Sequence, residues 1–298
     1  MTLIHYATES TWKAARRGLV TGSKCPVILG LSPYQTPLGL WSLEVGIVPE
    51  EPQTPRMKLG HHLESALLGM LAEDAGIYVE PKRWALATRG DLAYSPDGLV
   101  YERHEMTAAW ALAEVKARSG FGAADAWAEG VPADVNAQVQ LGMDVLDVPI
   151  AYVGVLLAGA EFRWAKVERD RAWMDEHRPA LLDFARRVRE QDPPPPTGSE
   201  KDKAALEARY PRESGEVVAL PPDFIDLASE LQEIAATRKR IETRENEIKN
   251  LVRAQLGDAV EGVLPGNLGG WKWATVSRET YVVKAAEYRQ LRWFKGGK

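Results

Sequence analysis

Residues 110–117, Trp-Ala-Leu-Ala-Glu-Val-Lys-Ala, are an apolar run of strand length that carries two charges, Glu114 and Lys116. A strand this apolar is buried, and a buried carboxylate and ammonium need partners or a task. Side chains alternate across a strand, so both charges leave the same face. Seventeen residues before Glu114 stands Asp97, within Ser95-Pro96-Asp97-Gly98. Leu99, Val100 and a charged turn at Glu102-Arg103-His104-Glu105 lie between, so the segment reads as a hairpin with Asp97 beside Glu114. Ser-Pro-Asp-Gly alone is a common turn, and Glu-x-Lys alone is usually a solvated strand face. Together they describe two carboxylates and a lysine in one place. Two carboxylates bind a hard cation such as Mg²⁺ through oxygen. A lysine beside them can hold an attacking water or steady charge on a phosphate, which is what a metal-dependent phosphodiesterase needs.

Helices and strands alternate around this pair. Residues 9–17 predict a short helix capped by Ser10 or Thr11. Residues 36–46 predict a second, and 62–75 a clear amphipathic helix. Strands follow near 77–87, 91–101 and 108–117, then a helix over about 132–147, strands near 150–157 and 161–168, and a helix from about 170 to 190. That order predicts an α/β fold with a mixed sheet covered by helices. Gly18 to Lys24 superficially looks like a phosphate loop, but the lysine falls one place late and no strand precedes it, which excludes a Walker motif.

Four prolines, 193–196, followed by Thr197-Gly198-Ser199, predict a stiff linker. They divide the chain into a domain over 1–192, a linker over 193–199 and a C-terminal α+β extension over 200–298. In the extension, 223–256 predict a long helix with Leu227, Leu231, Ile234, Ile241, Ile248 and Val252 on a heptad-like stripe. Arg238 and Glu245 interrupt the stripe. Lys239, Arg240, Arg244, Lys249 and Arg253 make the other faces basic. Residues 266–298 predict one or two strands around Trp271-Lys272-Trp273 and an Arg-Gln-Leu-Arg-Trp tail.

A single cysteine, Cys25, excludes a disulfide framework and a multi-cysteine metal or iron–sulfur site. It reads as a buried small residue. The first residues are not a signal peptide and no apolar run approaches a membrane span, which predicts a cytoplasmic protein without a membrane partner. The net charge of −5 neither favours nucleic acid nor excludes it, because metal-holding acids lower the total while a local basic groove still binds phosphate. The ten tryptophans read mainly as core or interface anchors.

Several blocks, in order, carry a resemblance: Trp12-Lys-Ala-Ala-Arg16, Thr21-Gly-Ser23, Gly60-His-His-Leu-Glu64, Ser95-Pro-Asp97-Gly, Glu114-Val-Lys116 and Ala137-Gln138-Val-Gln140. Over roughly its first two-thirds the chain resembles the YqaJ-type viral recombinase and lambda exonuclease family of the PD-(D/E)XK nuclease superfamily. The resemblance implies a restriction-endonuclease-like central sheet. It also implies a metal set of Glu64, Asp97, Glu114 and the Val115 carbonyl, with Lys116 as catalytic lysine and Gln138 facing the site. Arg16, Ser23 and Ser95 match positions that hold the 5′-phosphate of the strand being degraded. Two Mg²⁺ ions are implied, and Mn²⁺ can substitute. Two cations about 3.5–4 Å apart suit hydrolysis through a pentacoordinate phosphorus, and an arginine suits a terminal phosphate.

The implied activity is 5′-to-3′ exonucleolytic degradation of double-stranded DNA, leaving 3′ single strands for phage-type recombination. The implied partners are DNA ends, a single-strand annealing protein and a ring-shaped homotrimer, in a bacterial host or encoded by a phage. Other readings of the same residues are a site- or structure-specific endonuclease of this fold, against which the 5′-phosphate positions argue, and a non-catalytic DNA-binding or assembly protein, against which the complete ligand set argues. Gln138 and Gln140 are two apart on a helix, so only one can face the site. His61 and His62 read as structural or flanking, and Arg17 as surface.

Overall fold

The computed structural model describes residues 2–50, 52–102, 108–119 and 122–277. Two compact units divide the chain, Met1–Pro211 and Arg212–Lys298. The first contains β1 (Leu3–His5), α1 (Glu9–Ala15), β2 (Val20–Thr21), α2 (Cys25–Ile28), α3 (Pro37–Glu44), α4 (Pro55–Ala75), β3 (Tyr78–Pro81), β4 (Ala85–Arg89) and β5 (Leu92–Tyr94). It continues with β6 (Gly98–Tyr101), β7 (Ala111–Arg118), α5 (Ala123–Ala126), α6 (Ala133–Leu146), β8 (Ile150–Leu157), β9 (Glu161–Glu168), α7 (Arg171–Glu190) and α8 (Glu200–Arg209).

A five-stranded mixed sheet runs β3-β6-β7-β8-β9, with β7 and β8 parallel and the other neighbours antiparallel. The central pair reads as near-continuous apolar sequence because helices cover both faces. Ala111, Ala113 and Val115 of β7 pack toward Leu67, Leu68 and Leu71 of α4. Leu112 packs on the other side, in the cluster that holds Val135, Val139 and Leu141 of α6. Alternation therefore sends Glu114 and Lys116 to the α6 side. Full burial of each such leucine contributes about 1.5–3 kcal/mol.

A smaller four-stranded sheet, β1-β4-β5-β2, lies in the same unit. The strand expected over 91–101 is two strands, one in each sheet, and the chain crosses between them at Ser95-Pro96-Asp97. Pro96 has no N–H to give a ladder, so the break falls there. The strand expected over 77–87 likewise divides at Lys82-Arg83-Trp84.

Local signals set the ends of the helices. The extended Thr8 caps α1, accepting from the Thr11 N–H at 3.3 Å; Ser10 and Thr11, the expected caps, lie inside the first turn. Helix α4 starts earlier than the apolar periodicity alone predicts. Thr54 accepts from the Met57 N–H at 3.2 Å with Pro55 at the first helical position, and Gly76 closes the helix at φ 64°. Helix α6 is almost wholly buried, and its inward Asp144 is neutralised by Arg89, Arg169 and Arg178 at 3.2, 2.8 and 2.9 Å.

The first unit does not end at residue 192. The prolines lead into α8, absent from the expected pattern, which docks back on α3. Asp202 of α8 is 1% exposed, accepts from the Thr197 N–H and hydroxyl at 2.5 and 2.6 Å, and accepts from the Thr36 hydroxyl. Ala205 is buried, and the Arg209 guanidinium lies over the Trp41 ring. The unit therefore runs to Pro211.

The second unit contains α9 (Phe224–Leu256) and a hairpin of β10 (Glu261–Val263) and β11 (Gly270–Lys272). Gly262 of the hairpin lies against the Leu256 side chain at the end of α9. The expected tail at 289–293 lies outside the described residues, as do residues 103–105 of the expected charged turn.

Candidate active site

Glu114 is 1% exposed and receives three hydrogen bonds. Lys116 Nζ and Gln138 Nε2 both donate to Oε1 at 2.6 Å, and the Tyr94 hydroxyl donates to Oε2 at 2.7 Å. Asp97, half-buried where the chain enters β6, accepts from the Val115 N–H through Oδ2 at 2.9 Å. The structure thus brings Asp97, Glu114, Lys116 and Gln138 together around β7. Gln140 turns away and bonds the Glu168 carbonyl and the Asp170 N–H, at 2.9 and 2.8 Å.

Two carboxyl groups share one lysine, so the cluster resists carrying both negative charges. Burial, the Glu114 charge and, more weakly, the Glu64 charge push the Asp97 carboxyl well above the ordinary aspartate range. Burial works against the Lys116 ammonium, but Glu114 and Asp97 outweigh it and hold lysine above its usual range. Burial, followed by Glu114, keeps the Tyr94 phenol protonated far above its usual range, so it remains a donor.

Asp97, Glu114 and the Val115 backbone carbonyl are hard oxygen donors and fit a divalent cation. Glu64, on α4, contributes to the field at Asp97, while its Oε1 is paired with His61 Nδ1 at 2.8 Å. Among the described residues no group of three or more His, Cys, Asp or Glu side chains is gathered to hold an ion. The structure therefore assembles two of the sequence-derived carboxylates and leaves Glu64 engaged with His61.

The second group of candidates converges beside the first. Arg16 stacks on the Trp12 ring, 4.1 Å from its centroid, and donates long bonds to the hydroxyls of Thr21 and Ser23 at 3.5 and 3.4 Å. The Trp12 indole N–H donates to Ser95 Oγ at 2.9 Å. Arg16, Ser23 and Ser95 therefore meet through Trp12. Among the described residues, the buried Arg16 Nε has no hydrogen-bond partner. Burial lowers the Arg16 pKa against the raising effect of Glu44 and Glu50. A buried guanidinium with weak internal partners is a site for an anion. Lys24, beside it, is committed elsewhere, to Glu44 at 2.7 Å and the Leu19 carbonyl at 2.8 Å.

Gly22 joins the two groups. It lies against the Tyr94 ring and the Gln138 side chain, both of which bond Glu114. Gly142 of α6 lies close to the same ring. The Tyr94 hydroxyl and the Trp12 indole N–H bond candidate residues, a part that sequence patterning did not give them, although Trp12 heads one of the blocks that carry the resemblance. Tyr94 sits in Leu92-Ala93-Tyr94, where an aromatic reads as core, and only its place beside Ser95 could have marked it. Cys25 is fully buried, bonds the Ala137 carbonyl, and has its thiol pushed up to about 12 by burial.

Residues 11–149, which include every one of these side chains, match the model of the YqaJ-like viral recombinase domain. The chain is also similar to the uncharacterized protein YqaJ of Bacillus subtilis (strain 168), at 26% identity over 274 residues, covering 89% of this chain and 83% of that one. A match of that extent continues into the second unit. Its fold is similar to the crystal structure of the alkaline exonuclease LHK-Exo from Laribacter hongkongensis, with a TM-score of 0.51 and 18% identity over 67% of this chain and 98% of that one. The same exonuclease in complex with dAMP gives a TM-score of 0.50 and 19% identity over the same shares. Both share the mixed sheet flanked by helices. Over residues 11–149, then, the chain is similar to the YqaJ-like viral recombinase domain.

Proposed function

We propose that this protein is a divalent-metal-dependent exonuclease that degrades double-stranded DNA from its 5′ ends and leaves 3′ single strands. The observation that carries the reading is the contact, through Gly22 and Tyr94, between the Arg16 pocket and the Glu114 cluster. An anion pocket for a terminal phosphate and a site for hydrolysing a diester are then neighbours. That LHK-Exo takes dAMP, a nucleoside monophosphate, supports the same substrate class.

Asp97, Glu114 and the Val115 carbonyl would hold the cation, with Glu64 joining on release from His61. Mg²⁺ is the expected ion, a pair of ions would use all three carboxylates, and Mn²⁺ is the natural substitute. When bound, the cation neutralises charge on the phosphate and makes water a better nucleophile. The protein groups do the positioning. Arg16, with the hydroxyls of Ser23 and Ser95, holds the 5′-phosphate, whose extra charge and free oxygen distinguish it from an internal diester. Lys116, kept charged by its two carboxylates, holds the attacking water or the developing charge on phosphorus. Gln138 fixes the Glu114 carboxylate and offers an amide to the substrate side. Tyr94 holds the other carboxylate oxygen.

Such an enzyme would act on DNA ends, supply single strands to an annealing protein, and by its family likeness work as a ring trimer. No described helix is long and apolar enough to cross a membrane. End-labelled linear duplex with a 5′-phosphate, the same duplex with a 5′-hydroxyl, and a covalently closed circle test the proposal in Mg²⁺. The phosphorylated end should be degraded fastest and the circle should resist. Rapid cutting of the circle would instead identify an endonuclease.

A further inference from the structure

Helix α9 is 33 residues long, about 50 Å, and none of its side chains is buried. Its apolar residues nevertheless follow a heptad. Leu227, Ile234, Ile241 and Ile248 are seven apart and 48, 54, 60 and 43% exposed. Leu231 and Val252 occupy the other seam position, with Arg238 and Glu245 between them. A seam of this kind is built to pair with another helix.

The charges are divided along the helix. Residues 224–237 carry Asp226, Glu230 and Glu233 and no base. Residues 238–256 carry six bases against three acids. The helix is therefore neutral overall, acidic in its first part and basic in its second, rather than basic throughout as its arginines and lysines alone suggest. A second copy laid parallel would set acidic part on acidic part, Arg238 on Arg238 and Glu245 on Glu245. A second copy laid antiparallel sets acidic on basic. With nearly full overlap, Leu231 then faces the partner's Ile248, Val252 faces the partner's Leu227, Glu245 faces the partner's Ile234, and Arg238 faces the partner's Ile241, within about one turn of both the partner's Arg238 and its Glu245. Arg238 and Glu245 now contact Glu242 and Lys249 of their own helix, in exposed pairs that exchange readily.

We propose that α9 is a self-association element that pairs with α9 of a second copy in antiparallel orientation, with Arg238 and Glu245 selecting the direction. Antiparallel pairing of identical helices is two-fold symmetric, so the contact closes between two copies and would join two ring trimers rather than build the ring. The two seam charges reduce apolar burial at the centre and in exchange reject the parallel arrangement. The pairing is independent of the proposed nuclease chemistry.

The test uses the full chain at micromolar concentration and low salt, in sedimentation equilibrium. Ile241→Asp should halve the mass of the assembly. Arg238→Glu, which sets the new glutamate of each copy near both its counterpart and Glu245 of the other, should weaken association at least tenfold. Arg238→Glu/Glu245→Arg should restore it to within about threefold, because it re-forms both pairs with the charges exchanged. A parallel pair would not respond this way, since like charges already face each other in it. Circular dichroism checks that each variant keeps its helix. Spin labels at Ser229→Cys and Thr243→Cys, both opposite the seam, read direction, as the natural Cys25 is buried. Antiparallel copies hold the 229 labels at least about 10 Å farther apart than the 243 labels, from 1.5 Å of rise per residue. Equal separations would overturn the antiparallel arrangement. A wild-type chain whose mass is unchanged by Ile241→Asp would overturn the self-association, whether the seam is covered by another protein, by DNA or by the chain's own terminus.

Discussion

Gly22 stands so close to Tyr94 that a Cβ built on it would come within 2.4 Å of the phenol ring. Its backbone is not in the left-handed region, so the requirement for glycine is one of space alone. Gly142 of α6 also lies close to the ring, where an added Cβ would come within 2.6 Å, so the ring has little free space around it. Gly22→Ala should therefore move Tyr94, lose its 2.7 Å bond to Glu114, and cost about 1–3 kcal/mol of stability. DNA hydrolysis should fall at least tenfold. Tyr94→Phe separates the two effects: the ring stays and only the donor goes, a loss of about 1.5–3 kcal/mol for a bond to a charged group. Thermal denaturation and cleavage rates check both variants, and unchanged hydrolysis in both would show that Glu114 needs no such support.

Asp97 links the site to pH. Its raised pKa means that the folded protein without cation holds a proton that the unfolded chain has released. Stability from this group is therefore lost as pH climbs from the ordinary aspartate range through the raised value. Asp97→Asn removes that penalty and keeps an acceptor for the Val115 N–H. In a chelator, the variant should melt a few degrees above the wild type at neutral pH, and the difference should vanish in acid. Mg²⁺ should stabilise the wild type increasingly with pH, because it displaces the proton, and should leave the variant unchanged. Melting curves from pH 5 to 9 with and without Mg²⁺ decide the matter. Equal Mg²⁺ stabilisation of both proteins would remove Asp97 from the ligand set.

Lys116→Ala should abolish cleavage by orders of magnitude while Mg²⁺ still binds, since the lysine is no ligand. Its removal leaves Glu114 with one cation fewer, so Mg²⁺ affinity should hold or rise. Lys116→Arg should not rescue hydrolysis, because a planar fork does not replace a compact ammonium 2.6 Å from Glu114. Calorimetry that finds Mg²⁺ binding lost in Lys116→Ala would contradict this role.

Arg16→Ala should erase most of the preference for a 5′-phosphorylated end, because it removes the full positive charge beside Ser23 and Ser95. Rates on 5′-hydroxyl duplex should change much less. Ser95→Ala should give a smaller loss of the same kind, since Ser95 reaches Arg16 only through Trp12. Initial rates on paired substrates measure both, and a preference that survives Arg16→Ala would place the end-binding pocket elsewhere.

The chemistry of β7 was legible in the chain because Glu114 and Lys116 stand out against alanine, leucine and valine, and period-two alternation puts them on one face. Helical spacing allowed only one of Gln138 and Gln140 to face the site, the family resemblance picked Gln138, and their bonds agree. The break at Pro96 was less legible, since the residues on either side are equally strand-like and only tertiary pairing sends them to different sheets. Tyr94 and Trp12 were hidden for a related reason. An aromatic acts here through one polar atom at its rim, and no pattern of apolar residues shows where that atom points. The Glu64–His61 pair is i,i+3 on one helix, which spacing permits, but whether Glu64 turns to His61 or to the site depends on rotamers.

The Asp202 contacts bear on how the protein may be shortened. A cut among the prolines looks harmless on the linear chain, yet it would strip α8 away, expose the face of Trp41 under Arg209, and leave the Thr36 hydroxyl without its carboxylate. Thr36 also caps α3, whose Glu44 anchors Lys24 and the Gly18 N–H in the loop that carries Ser23. Damage at a boundary far along the chain would thus reach the end-binding pocket through one hydroxyl and one short helix. A protein ended after Pro211 keeps that chain of support whole, so trimming for study or engineering belongs there.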